Sequence, residues 1–189
     1  MGKYADSQYN HLAGMSALME ATNDPHHRAI LQNYQRHNAL EQAGRWEEVL
    51  TPDMTVDHPV YRVKFGDELT VLDGKEAVGG WYASMGGYVQ SLIDEKLAVN
   101  DWGVASHSTH VVFTRGADLA GEGVEVDDPE AIYLVETPLA MFWFYTDDAR
   151  LIGEHLYQLE ESTIRKADPD DVLTHERMVQ ACEAFLQPA

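Results

Sequence analysis

The first stretch of the chain places a single apolar stripe after a mostly polar start. Leu12, Met15, Leu18 and Met19 recur there at helical spacing. A helix this short is not stable alone, because most helical stability in proteins comes from packing of the apolar face. The pattern predicts an N-terminal arm, residues 1–24, that packs over the main body or over a partner subunit.

A second helix is predicted between two boundary signals. Asp24 can cap free backbone amides, and Pro25 is tolerated at the first helical position, so the pair marks a start. Gly44 marks the end, because glycine readily adopts the left-handed conformation that closes a helix.

One face of this helix begins apolar and turns polar, through Ile30, Tyr34, Asn38 and Glu41. Such a face suits a helix that lines a cavity, with Tyr34 and Asn38 reaching a ligand by hydrogen bonds. The alternative is a core tyrosine with a satisfied hydroxyl beside an exposed asparagine.

The middle of the chain alternates short strand patterns with turn signals. Residues 55–64 and 67–72 predict two strands, with a break at Pro59. A helix over residues 75–90 follows, and its paired glycines predict a break near Gly86. Its inward side would carry two aromatic residues, Trp81 and Tyr82.

From Ser91 onward the apolar positions recur every second residue, which is typical of strands. The strands are predicted over residues 92–102, 104–115, 132–145 and 151–163, with a Gly-rich acidic loop over 116–130 and a C-terminal helix over 172–186.

Composition and charge narrow the class of protein. The chain has 189 residues, of which 44% are hydrophobic, and this suits a single domain with one sizeable core. Its formal net charge of -19 repels phosphate backbones and anionic membrane surfaces, so nucleic acid and membranes are not expected partners. Cys182 is the single cysteine, and the start shows no secretory signal, so we expect a cytoplasmic protein.

The order of elements and three local sequences resemble those of a known group of folds. LTPDMTVDHPV, LDGKEAV at the start of a helix and LIGEHLYQLE are similar to segments of the NTF2-like, SnoaL-like superfamily. The resemblance implies an α+β fold, in which a curved antiparallel sheet wraps around N-terminal helices and forms a cone-shaped cavity. It covers about residues 25–165, which leaves residues 166–189 as a C-terminal helical extension.

The resemblance leaves the reaction open. The superfamily includes ketosteroid isomerase, scytalone dehydratase, limonene epoxide hydrolase, polyketide cyclases and lyases that remove formaldehyde from lignin-derived diaryl compounds. It also includes binding domains without catalytic activity, so fold similarity cannot select the chemistry.

Strand alternation and the resemblance together select inward positions. Ser106, Ser108 and His110 lie on one face of their strand. Laid against the epoxide-hydrolase branch, Ser108 and His110 fall where that branch has its arginine and one catalytic aspartate, and Leu156 falls on its second aspartate. These departures argue against epoxide hydrolysis by that mechanism. The same comparison turns Glu154 inward.

The parity implied by the resemblance also turns Glu136, Phe142 and Phe144 toward the cavity, and His155 and Tyr157 away from it. Because an open curved sheet leaves a convex face to cover, we expect a homodimer with His155 and Tyr157 at its interface.

The predicted cavity therefore combines acid–base groups with aromatic walls. A histidine titrates near neutral pH, and a carboxylate beside it can fix its tautomer and stabilise the imidazolium. The candidate catalytic residues are His58, His110, Glu154 and Tyr34, and which histidine acts as the base stays open. The candidate substrate-binding residues are Asn38, Ser108, Trp81, Tyr82, Glu136, Phe142 and Phe144.

Metal and cofactor chemistry are not expected. His107 and His110 face opposite sides of their strand, and neither an HExxH motif nor a cysteine cluster occurs. No Gly-rich phosphate loop, nucleotide fingerprint or nucleophile elbow is present either.

These patterns predict a cofactor-independent acid–base lyase for a small, hydrophobic, hydroxylated compound, with aromatic compounds preferred. Dehydration and retro-aldol loss of formaldehyde both fit. An isomerase or cyclase would need the same groups, and a ligand-binding domain without turnover is the alternative from a different class.

Overall fold

The computed structural model describes residues 3–85 and 89–186. Its helices are α1 (Ser7–Ala21), α2 (Pro25–Gln42), α3 (Gly74–Ser84), α4 (Gly116–Gly121) and α5 (His175–Leu186), with a short 3-10 turn at Trp46–Glu48. Its strands are β1 (Val60–Phe65), β2 (Glu68–Asp73), β3 (Val89–Asn100), β4 (Gly103–Arg115), β5 (Ile132–Tyr145), β6 (Leu151–Gln158) and β7 (Thr163–Lys166).

The strands form one curved sheet in the order β2-β1-β6-β5-β4-β3, with β7 beside the first part of β5. Every pairing is antiparallel except β1 with β6, which run parallel. The predicted α+β architecture, with helices packed on a mostly antiparallel sheet, is confirmed.

Helix α2 begins where its sequence predicts. The carboxylate of Asp24 accepts hydrogen bonds from the backbone amides of His26 and His27, at 2.8 and 3.1 Å. These bonds satisfy amides that have no partner inside the helix. Pro25 occupies the first helical position, where its missing amide costs nothing.

The main core lies between α2 and the inner face of the sheet. Its buried residues include Tyr34, Tyr61 and Met141, and α1 contributes Leu12 and Met15. A second cluster, which contains Tyr4 and Phe113, lies on the other face of β4 and β5, because neighbouring residues of a strand point to opposite faces. The arm and α5 therefore pack against the main body of their own chain.

The predicted strand over residues 55–64 begins later than expected, at Val60. Thr55 makes only an isolated bridge to Leu151, and residues 57 and 58 form a bend before Pro59. Proline lacks a backbone donor, so the ladder starts after it. The predicted strand over residues 151–163 is likewise divided, into β6 and β7.

Two further predictions concern glycine-rich segments. The predicted loop over residues 116–130 opens with the short helix α4, and a Cβ at Gly116 would lie 2.4 Å from the carbonyl oxygen of Asp128. Helix α3 ends at Ser84, and the predicted break near Gly86 lies outside the described residues.

Gly153 allows the close approach of β1 to β6. A Cβ at this position would lie 2.0 Å from the carbonyl oxygen of Val60, so any larger residue would push the two strands apart. None of the helices in the described part of the chain is long and apolar enough to cross a membrane.

Candidate functional site

A cavity of about 790 Å³ opens between α2, the end of α3 and the inner face of the sheet. Most of its wall is apolar, and Trp81, Leu139 and Trp143 contribute to it. Its polar groups come from separate elements: Asn38 and Glu41 from α2, Gln90 from β3, His110 from β4 and Glu154 from β6. A largely apolar pocket with a few converging polar groups is typical of small-molecule sites.

Glu154 is the acid of the cavity wall whose pKa departs most from its ordinary value. Only 3% of the residue is exposed. Burial raises the pKa of its carboxyl well above the ordinary value, and the charge on Glu41 adds to this effect. Burial in this wall therefore favours the protonated form of Glu154 over the carboxylate.

Glu41 is connected to a buried chain of polar groups behind the cavity. Nε2 of His37 lies 3.5 Å from Oε2 of Glu41 and 2.7 Å from the Tyr82 hydroxyl. The Tyr82 hydroxyl lies 3.1 Å from that of Tyr61. Together these contacts hold the ring of His37 and give the Glu41 carboxyl a fixed neighbour.

His37 belongs to the surroundings of the cavity, although the sequence pattern did not single it out as a site residue. It is fully buried, with its ring edge against Trp143 at a centroid distance of 4.8 Å. The signal was present, since His37 follows Tyr34 by three residues and precedes Glu41 by four, which is the spacing of one helix face.

His110 lies at another part of the cavity wall. Its Nε2 is 2.8 Å from Oε1 of Gln90, and with that oxygen as acceptor Nε2 carries the proton and Nδ1 keeps its lone pair. Burial lowers the pKa of His110 to about 4, so the imidazole is neutral at physiological pH.

The sheet register separates His110 from Glu154. His110 pairs with Thr137, and Glu154 pairs with Trp143, six residues further along β5. At about 3.4 Å per residue the two positions lie roughly 20 Å apart along the strand. The expected histidine–carboxylate pair is therefore not formed by these two residues.

The structure places His58 on the outer surface, away from the cavity. Of its side chain 71% is exposed, and Nε2 lies 2.6 Å from Oδ1 of Asp73, the residue before α3. The bend before Pro59 directs the ring toward the start of that helix, where a Cβ at Gly74 would lie 3.4 Å from the ring.

Three other predicted site residues are packed in the core. The Tyr34 hydroxyl donates to Oε1 of Glu95 at 2.8 Å, and Tyr82 bonds to His37 as described above. Ser108 is only 1% exposed, with no partner for its hydroxyl among the described residues. For Tyr34 the structure agrees with the alternative of a core tyrosine whose hydroxyl is satisfied.

The expected inward direction of Glu136, Phe142 and Phe144 is wrong. Ser108, which faces inward, pairs with Leu139, so the odd-numbered residues of β5 share the inner face. Glu136 instead accepts a hydrogen bond from the Tyr4 hydroxyl at 2.7 Å, on the outer face.

Phe142 and Phe144 belong to a partly exposed aromatic surface on the outer face of β5 and β6. Phe144 lies 4.8 Å from His155 between ring centroids, and Phe142 lies 6.3 Å from Tyr157. His155 and Tyr157 do point away from the cavity, as expected. We call these four residues the outer aromatic surface.

Of the predicted site residues, the cavity wall thus includes Asn38, Trp81, His110 and Glu154. Within residues 3–85 and 89–186, no group of three or more His, Cys, Asp or Glu side chains is arranged to hold a metal ion.

A buried pair of one acid and one base, Glu95 and His11, lies behind Tyr34 and outside this cavity. Oε2 of Glu95 is 3.3 Å from Nδ1 of His11, which comes from α1. Burial raises the pKa of Glu95 to about 7 and lowers the pKa of His11 to about 4. At neutral pH His11 is therefore uncharged, whereas Glu95 is close to half protonated.

Comparisons with known proteins identify the fold. No protein-family model and no curated protein matches the sequence. A solved structure described as a polyketide cyclase from Xanthomonas campestris pv. campestris aligns with a TM-score of 0.51 and 15% identity, over 70% of this chain and 91% of that chain. A SnoaL-like polyketide cyclase from Jannaschia sp. CCS1 aligns with a TM-score of 0.51 and 12% identity, over 72% and 90%.

A CaMKII hub from S. rosetta aligns less well, with a TM-score of 0.47 and 12% identity over 73% of this chain and 99% of that chain. At these identities the likeness concerns the fold alone. The chain has the NTF2-like fold of SnoaL-like proteins, as its sequence resemblance implied.

Proposed function

We propose that this chain, which has the NTF2-like fold of SnoaL-like proteins, is a cofactor-independent acid–base lyase. Its substrate would be a small, hydrophobic, hydroxylated compound, with aromatic compounds preferred. The observation that carries the proposal is Glu154, a buried cavity acid whose pKa is raised well above its ordinary value beside a second carboxyl, Glu41. A carboxylic acid whose protonated form is favoured by burial can donate its proton to a departing group.

Glu154 and Glu41 divide the acid and base roles in this proposal. The charge on Glu41 is among the causes of the raised pKa of Glu154, and both side chains line the cavity, so the two groups interact within it. Carboxyl groups in unlike environments take opposite roles, as acid and base. Glu154 is the proton donor, and Glu41, next to His37, is the proton acceptor.

Both expected eliminations can be written with these two groups. In a dehydration, Glu41 removes a proton from carbon, the electron pair forms the double bond, and the departing hydroxyl takes the proton of Glu154 as water leaves. In a loss of formaldehyde, Glu41 removes the hydroxyl proton, the carbon–carbon bond breaks, and the released carbanion takes the proton of Glu154.

His110 serves as a binding group here, because the register places it far from Glu154. Its neutral ring presents an Nδ1 lone pair at the other end of the cavity, where it can accept a hydrogen bond from a hydroxyl of a ligand that extends that far. The wall between the two ends carries Leu139, Met141 and Trp143, and it suits a flat apolar molecule.

A second candidate is an isomerase or a cyclase with the same groups. Acid and base at one end of the cavity can return a proton to a different atom of the substrate without releasing a fragment. The two solved structures of similar fold, described as polyketide cyclases, support cyclisation as this second candidate. A ligand-binding domain without turnover is the third candidate.

The test compares Glu154→Gln, Glu41→Gln and His58→Ala with the unaltered protein on a panel of hydroxylated aromatic compounds. Product formation is followed by the ultraviolet spectrum, because elimination creates new conjugation, and binding by thermal stabilisation. We expect both glutamate variants to lose turnover while His58→Ala keeps it. Full turnover in Glu154→Gln and Glu41→Gln would refute the acid–base assignment, and binding without turnover in the unaltered protein would favour a binding domain.

A further inference from the structure

A residue of the N-terminal arm reaches a group of the cavity wall. Nε2 of Gln8, in α1, donates a hydrogen bond to Oδ1 of Asn38 at 2.8 Å and lies 3.5 Å from Sγ of Cys182. Gln8 is fully buried, and Asn38 is partly buried where it lines the cavity. Helices α1 and α5 thus meet behind Asn38, outside the segment that resembles known proteins.

The bond to Gln8 determines which end of the Asn38 amide is free. Because Oδ1 is engaged, the amide nitrogen Nδ2, with its two N–H donors, is the end available to the cavity that Asn38 lines. A side-chain amide held in one orientation acts as a donor, and in the flipped orientation it would act as an acceptor.

Asn38 and Glu41 lie one turn apart on α2, so their side chains share a face of the helix. A fixed N–H donor beside a carboxylate suits removal of a proton from a carbon next to a carbonyl group. The carboxylate takes the proton, and the donor stabilises the negative charge that develops on the carbonyl oxygen.

We propose that Gln8 is a positioning residue, which holds the Asn38 amide as a hydrogen-bond donor for a carbonyl oxygen of the substrate. The substrate is then a carbonyl compound whose reacting proton lies on the adjacent carbon. This inference rests on the proposed function, because it assigns Glu41 as the base.

With a β-hydroxy carbonyl compound, the reaction is loss of water. Glu41 removes the proton from the carbon between the two functional groups, and negative charge moves onto the carbonyl oxygen beside Asn38. The charge returns to form the carbon–carbon double bond, and the carbon–oxygen bond breaks toward the hydroxyl. That oxygen takes the proton of Glu154 and leaves as water, and the proton on Glu41 returns to Glu154 through water.

The test uses 2-tetralone, a bicyclic ketone small enough for the cavity, in deuterated buffer. Enzyme-catalysed replacement of its C1 and C3 protons by deuterium is followed by proton NMR. Gln8→Glu is the decisive variant when it is assayed at a pH where infrared spectra show the new carboxyl to be ionised, because burial favours the protonated form, which could still donate. The ionised carboxylate can only accept a hydrogen bond, and it therefore turns the Asn38 amide so that its oxygen faces the cavity. Gln8→Met removes the bond without imposing the flip, and Asn38→Leu removes the donor.

We expect exchange to fall about 100-fold in Gln8→Glu and in Asn38→Leu, the usual cost of one lost oxyanion donor. A smaller loss is expected in Gln8→Met. Cys182→Ala is the matched control, since it removes the other contact of Gln8 and should keep full exchange. Melting temperatures and the side-chain amide NMR signals of Asn38 separate a flipped amide from a damaged fold.

The outcomes distinguish this inference from the proposed function. If Glu41→Gln abolishes exchange and Gln8→Glu retains it, Gln8 does not orient Asn38, and Glu41 still acts as the base. If Glu41→Gln also retains exchange, the proposed base is wrong and this inference falls with it. If the unaltered protein does not accelerate exchange, the carbonyl substrate is refuted, and the elimination assay above still tests Glu154.

Discussion

The carboxyl groups of Glu154 and Glu41 line the same cavity, and the charge on Glu41 raises the pKa of Glu154 beyond what burial does alone. One acid on the sheet and one on helix α2 thus influence each other across the space where a ligand would bind. This relationship can be measured without knowledge of the substrate.

Replacing Glu41 should lower the pKa of Glu154. Glu41→Gln removes one of the two causes of the raised value, whereas burial remains, so we expect a partial shift toward the ordinary range. The carbonyl stretch of the protonated carboxyl in pH-dependent infrared spectra reports this directly, and Glu154→Gln identifies the band. An unchanged band in Glu41→Gln would show that the two groups do not interact.

Replacing Gln90 should change the titration of His110. In Gln90→Glu a carboxylate lies beside Nε2 of His110, and a nearby negative charge favours the imidazolium. We expect the pKa of His110 to rise from about 4, as followed by the imidazole signals in an NMR titration. Gln90→Met, which offers no charge, is the matched control, and an equal rise in both variants would exclude the electrostatic cause.

Stability should respond to pH through Glu95. Its folded pKa of about 7 lies above the unfolded value of 4.5, so the folded state binds the extra proton and this contribution to stability is lost as pH rises from 4.5 to 7. Glu95→Gln removes that dependence. Its free energy of unfolding, compared with that of the unaltered protein, should therefore increase by about 3 kcal/mol between pH 4.5 and 7.

His11 acts in the opposite direction, because its lowered pKa makes the unfolded state bind more protons between pH 4 and 6.5. In the unaltered protein the contribution of Glu95 to stability therefore falls with pH, while that of His11 rises. In Glu95→Gln only the contribution of His11 is left, so stability should rise with pH in that window. Denaturant unfolding at several pH values measures both effects. A parallel pH profile for the two proteins would contradict the assigned burial of Glu95.

The outer aromatic surface is where we expect two copies of the chain to meet in a homodimer. Phe142 is 36% exposed, and a second copy of the chain is the occupant we expect there. Phe142→Glu would place charges opposite each other across a two-fold interface and should shift the protein toward monomer. Light scattering after size-exclusion chromatography measures this shift, with Leu159→Glu, exposed outside that surface, as the control.

The fold could be predicted from the sequence because its signals are local. Asp24 and Pro25 act within one turn of α2, and the change from helical to strand spacing near Ser91 needs no knowledge of partners. The inward direction of the Glu154 and His110 side chains could also be predicted, from alternation within single strands together with the resemblance.

What could not be predicted depends on how separate elements meet. The run from Met141 to Tyr145 is large and apolar on both faces, so only its pairing with β4 shows that Trp143 faces inward and Phe142 outward. The partner of His37 lies 45 positions away in the sequence, on α3, and the helix pattern alone does not reveal it. The predicted cavity position of His58 is wrong for the same reason, because its ring turns toward α3.

Gly153 has a consequence for how this protein can change over evolution. Any side chain there would collide with the backbone of Val60, and Glu154 is the next residue along the chain, so the acid is attached to backbone that tolerates little adjustment. The cavity wall also includes Leu119, Glu122 and Val124, which lie in α4 and the loop after it. Selection for a new substrate should therefore accumulate substitutions in that loop and leave positions 153 and 154 unchanged.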